Sequence, residues 1–181
     1  MISRMNISKN SYYYIFGIFL FVLLKFGFRQ SNLQDLTFLI KPTDSLISII
    51  TGSTSVYLEN IGYYHQKLDI IIDKSCAGFN LWTILFLLIL YPLITYVNSH
   101  SIKVIMMPIV LLLSLVITIL VNTSRIFVSI VLQNKLSEIL HLQTDLIHEG
   151  LGILINLSFL ILTYLIIDTI IKKYICYVQL T

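Results

Sequence analysis

Residues 79–97 and 104–121 are two apolar runs joined by a short turn that carries His100 and Lys103. At ~1.5 Å per residue, a helix of ~19 residues crosses the ~30 Å hydrocarbon core of a bilayer. In lipid the backbone must satisfy its own N–H and C=O groups, which a helix does. Two such runs in succession predict an antiparallel pair of membrane helices. The rest of the chain agrees: 57% of it is hydrophobic, 12% is charged and the mean hydropathy is +0.89. A soluble domain carries about twice that charged share.

Taken in order, residues 1–11 are polar and hold Arg4 and Lys9, and residues 12–28 are a first apolar segment opened by Tyr12, Tyr13 and Tyr14. Tyrosines of this kind sit at headgroup level. No small-residue cleavage site follows, which predicts a retained signal anchor. In 33–52, Lys41 and Pro42 interrupt an apolar pattern too short to cross on either side, which predicts an interfacial or re-entrant helix. Thr43 or Asp44 would cap it and Gly52 would end it. Residues 56–58 and 68–72 are expected to pair as an outer-face hairpin around 60–62.

Beyond the paired helices, the second is expected to continue past Asn122 and Arg125 to about Leu132. Residues 133–146 then read as a polar, amphipathic link and 151–167 as the last crossing. The expected fold is therefore an all-α integral membrane protein. It is a single domain over 1–181, a compact bundle of four to five transmembrane helices with one interfacial or re-entrant helix and an outer-face loop or hairpin. Lysine and arginine collect in cytoplasmic loops, so Arg4, Lys9, Lys172 and Lys173 place both ends inside a cell's inner or plasma membrane. The net charge of +3 is spread thinly, without the basic block that would suggest nucleic acid. Cys76 and Cys176 fall on opposite sides, which argues against a disulfide between them.

One crossing leaves Cys76 and the next returns to Arg125, so both belong to one membrane face, and His148 joins them if 126–147 does not cross. Gln133, Asn134, Lys135, Glu138 and Asp145 would be unwelcome in lipid. Cys76 stands before Ala77, Gly78 and a hydrophobic helix, where free N–H groups and the helix dipole favour a thiolate. Gly78 would admit a close neighbour, as would Gly152 one turn beyond His148. Asn122 shares a helix face with Arg125 and is expected to orient its guanidinium.

Each residue also has a plainer reading: a buried small hydrophobe, a snorkelling arginine, an idle interfacial histidine. His65, His100 and His141 compete as imidazoles. His100 is on the wrong side, while His65 and His141 lie in polar connections. Thiol, imidazole and guanidinium together suit acyl transfer at a peptide carbonyl: nucleophile, proton carrier, and cation for an oxyanion or carboxylate. Ala77 or Gly78 N–H groups would add donors. One cysteine and one histidine fall short of a zinc site, and no metal or cofactor is expected.

Three motifs carry a resemblance. SCAGF at 75–79, NTSRI at 122–126 and HEGLG at 148–152 resemble the Cys-(Ser/Ala)-Gly, Asn-x-x-Arg-Ile and His-x-x-x-Gly elements of the exosortase/archaeosortase family, and the short chain is most similar to the compact exosortase K type. The resemblance spans roughly 42–167. It implies Cys76 as nucleophile, His148 as proton-transfer partner and Arg125 as stabilising cation, with Asn122 and Gly78 in support. It further implies as substrates exported proteins bearing a C-terminal motif, hydrophobic helix and basic tail, cut at the outer face and passed to a lipid or glycan acceptor. A hydrolase that releases its product to water shares these residues. A non-enzymatic scaffold or transporter subunit, in which Arg125 and His148 pair with a partner's charge, is the alternative of a different class.

Overall fold

The structure, a computed structural model, describes residues 7–141 and 143–180. Arg4 lies outside them, as do the side chains of Lys9 and Cys176, and with the latter the expectation about disulfide pairing. Five helices are joined by a small sheet: α1 (Ile7–Gln30), α2 (Thr37–Thr51), β1 (Ser55–Leu58), β2 (Gly62–His65), β3 (Ile70–Ile72), α3 (Phe79–Tyr96), α4 (His100–Leu140) and α5 (Thr144–Leu180). Four spans within this framework are long and apolar enough to cross a membrane: 10–30, 74–96, 100–133 and 146–173. α2, with 15 residues, is not among them.

α3 is the central helix, packed by α1, α4 and α5. Leu85, Phe86, Ile89, Leu90 and Ile94 are buried along it. The surrounding helices instead turn Ile15, Phe19, Leu112, Val116, Leu157 and Ile161 outward. Apolar surface on that scale is stable in lipid and not in water. Lys103, Lys172 and Lys173 gather at one end of the bundle, where Lys103 Nζ donates to Asn10 Oδ1 and Lys172 Nζ reaches Asp168. The sheet, α2 and the extension of α4 make the other end.

Three details differ from the sequence expectation. Pro42 lies inside α2 rather than before it. Thr43 therefore donates to the Leu39 carbonyl in mid-helix, and Asp44 turns to the sheet instead of capping. Gly52 does end the helix, in the left-handed conformation. In the sheet, β1 pairs with β2 and only β2 pairs with β3, both antiparallel. The turn around Asn60 joins β1 to the intervening strand 62–65, whose Tyr-Tyr-His character reads as polar connection. Finally, α4 runs unbroken for 41 residues, absorbing much of the expected link. At ~1.5 Å per residue that is roughly 60 Å, twice a hydrocarbon core.

The sheet is fastened to α2 by a buried polar cluster. His65 is fully buried and its Nε2 meets Asp44 Oδ1 at 2.8 Å, while Nδ1 meets Ser53 Oγ at 3.3 Å. Ser55 Oγ donates to the other carboxylate oxygen at 3.0 Å. His65 is thus a fastening of the fold rather than a loop histidine. Nearby, burial first and the Asp44 carboxylate second raise the Tyr63 phenol above its ordinary value.

Candidate active site

Cys76 lies in a 3-10 turn over Lys74–Ala77, three residues before α3 begins at Phe79. Asp73 builds that turn. Its Oδ1 accepts from the Ser75 N–H at 2.9 Å, the Ser75 hydroxyl at 2.6 Å and the Cys76 N–H at 3.2 Å. The Cys76 N–H is therefore already engaged. Lys74 pins the same turn to the end of α1, its Nζ donating to the Ser31 carbonyl at 2.6 Å and lying 5.1 Å from the Phe28 ring centre. Phe28 stacks on Phe79 at 4.5 Å, and Phe79 meets Trp82 edge-on. Aromatic packing thus fixes the backbone on both sides of the thiol.

Gly78 takes φ +70° and ends the turn. A Cβ there would stand 3.1 Å from Asn122 Cγ and 3.3 Å from Thr118 Cγ2, so a glycine is required on both counts. The close neighbour is a pair of side chains from α4. Asn122 is buried, and its Nδ2 donates to the Cys76 carbonyl. It holds the cysteine turn, and the expectation that it orients Arg125 is corrected accordingly. The level also fits the count along α4. Asn122 lies 22 residues past His100, roughly 33 Å at 1.5 Å each, about one hydrocarbon thickness.

Arg125 lies one turn further along α4. Its aliphatic chain packs on α5, with Cδ 3.4 Å from where a Cβ on Gly152 would stand. Its Nε is buried and has no hydrogen-bond partner among the described residues, and the same holds for Ser129 Oγ on the next turn and for Asn156 Oδ1 on α5. Buried polar atoms are nearly always satisfied, because leaving one unpaired costs about 1–3 kcal/mol. All three lie on the adjoining helices α4 and α5.

A cavity of about 530 Å³ opens beside them. Cys76 and Ser75 form part of its wall, β3 and Asp73 another, and Ile126, Ser129, Ile130 and Gln133 of α4 face them. His148, in the opening turns of α5, completes it. Thiol and imidazole therefore share one cavity. Arg125 does not line it, lying instead under the α4–α5 contact next to Ser129. Of the competing histidines, His65 is buried in the α2–sheet cluster and His100 meets Tyr13 at the lysine-bearing end. His141 caps α4 in the left-handed conformation.

The sequence places Asp73 and Lys74 near the site without giving them a role, and it passes over Ser129 and Asn156. The last two carried a signal, being polar residues inside long apolar helices at helical spacing from Arg125 and Gly152. Compared with protein-family models, curated proteins and solved structures, this chain matches none. The family resemblance rests on the three motifs themselves.

Proposed function

We propose that this protein is a membrane-embedded cysteine peptidase or transpeptidase of exosortase-like type, acting on C-terminal sorting signals of exported proteins at the outer face of a cell membrane. The observation that carries this reading is that Cys76 and His148, far apart in sequence, line a single cavity at the bundle end opposite Lys172 and Lys173. In this proposal the end with Lys103, Lys172 and Lys173 is cytoplasmic, following the inner position expected for both chain ends.

In this mechanism Cys76 Sγ, its proton passed to the His148 ring, attacks the scissile carbonyl carbon. The resulting oxyanion collapses, the C–N bond breaks, and the leaving amine takes the proton from His148. The substrate's new C-terminus is then a thioester on Cys76, which an acceptor amine or water displaces. Arg125 lies outside the cavity lining and takes its role from the motif resemblance, as the cation for the oxyanion or for a substrate carboxylate; its Nε has no partner among the described residues. Lysine there would keep the charge and lose the guanidinium's fork.

Mass analysis of a processed protein's new C-terminus tests this. An amine-linked group identifies transfer and a free carboxylate identifies hydrolysis. Secretory proteins that stay full length at the C-terminus whether or not this chain is present would contradict the proposal.

A further inference from the structure

Resting on that reading, we infer that the substrate's recognition segment binds as an added strand on the free edge of β3, and that this edge delivers its carbonyl to Cys76. β3 is the last strand of the sheet, paired with β2 on one side. All three β3 residues line the cavity and none of β2 does, so the cavity lies along the unpaired edge. A free edge exposes backbone donors and acceptors that bind any extended chain, and proteins normally block it. Here it opens onto the thiol.

The register shows which groups are free. A Cβ on Gly62 would stand 2.3 Å from the Ile72 carbonyl oxygen, so Ile72 turns its carbonyl toward β2. Antiparallel pairing alternates, and Ile71, between Ile70 and Ile72, therefore turns its N–H and C=O to the cavity. Its side chain is exposed and that of Ile72 is buried in the core. Three strand residues at ~3.3 Å each give about 10 Å of edge, enough for two or three guest residues. Asp73 follows β3 directly and Cys76 comes three residues later on the same cavity wall, so a chain laid along β3 leads towards the sulfur.

An independent observation stands on the facing wall. On α4, Ser114, Thr118, Thr123 and Ser124 each return their hydroxyl to a carbonyl of their own helix. Ser129 does not: it is 3% exposed, lines the cavity and has no partner for Oγ among the described residues. A guest strand on β3 hydrogen-bonds on one edge to Ile71 and presents its other edge towards α4, where Ser129 Oγ meets one of its backbone groups. The occupant is thus an extended peptide recognised mainly through its backbone.

The test compares alkylation of Cys76 in the full-length protein by two reagents. Acetyl-trialanyl chloromethyl ketone carries a peptide backbone, whereas iodoacetamide does not. Ile71→Pro removes the outward N–H and spares the bonds to β2, as edge strands tolerate. It is expected to slow the peptide reagent roughly fivefold, about one hydrogen bond's worth, and leave iodoacetamide unchanged. Ile71→Ala should slow neither. N-methylating the peptide reagent's central amide should cost a similar factor on the wild-type protein, a comparison free of any folding effect. Wild-type rates insensitive to N-methylation would overturn the inference, as would equal slowing of both reagents in Ile71→Ala. Neither result touches the proposed chemistry, which fails separately if processing continues without the thiol.

Discussion

Cys76→Ala is expected to leave a tagged substrate full length in the membrane, with processing down by at least about a thousandfold, as when a covalent nucleophile is removed. The substitution should do little else. Cys76 is only partly buried, its turn is held by backbone and by Asp73, and Asn122 bonds its carbonyl rather than its sulfur. Stability should therefore remain within about 0.5 kcal/mol of wild type. Immunoblotting of substrate and variant from the same membranes reads both quantities. Processing at the wild-type rate would remove the thioester and leave a scaffold role for the charged residues.

His65→Ala is expected to have the largest effect on stability, although His65 is outside the candidate site. It leaves the Asp44 carboxylate facing a void, buried and with only Ser55 still donating to it. Breaking one partner out of a buried charged or hydrogen-bonded pair costs about 3 kcal/mol. Asp44→Asn keeps the shape and one acceptor oxygen, and should lose less. The unfolding midpoint in detergent micelles measures both; His65→Ala unfolding with the wild-type protein would mean the pair adds nothing. Because β2 carries β3, the loosened sheet should also lower processing with Cys76 still in place.

The long helices were legible in the sequence because nothing competes with apolar length in deciding them. Phe79–Tyr96 begins and ends within a residue or so of the apolar run. The hidden parts depend on contacts that periodicity does not encode. Pro42 reads as a breaker, but it sits in a short helix whose other bonds and buried face tolerate it. Gly62–His65 reads as connection because its two tyrosines are half-exposed and its histidine finds Asp44 only in three dimensions. Residues 133–140 look like a link by polarity, and remain helical because they have left the apolar span and water can solvate them.

At the candidate site the chain announced its reactive types. Cys76 and His148 stand out as a thiol and an imidazole beside membrane helices, and they line one cavity. The supporting parts were not announced. Asp73 is an ordinary acidic residue until its carboxylate gathers three donors, and Asn122 could serve Arg125 or the cysteine turn equally by spacing. Only the packing against Gly78 assigns it to the turn.

Cys76 and His148 line one cavity, which the proposed function sets at the outer surface. Basic residues stand at both ends of the bundle, with Lys25, Arg29, Lys41, Lys67 and Lys74 towards the sheet, so the face is best read directly. A membrane-impermeant maleimide applied to intact cells should label Cys76, and should label Glu149→Cys, the exposed neighbour of His148, in a Cys76→Ala background. Labelling of both from outside is the expected result. Cys76 labelled only from outside and position 149 only after the membrane is opened would contradict it.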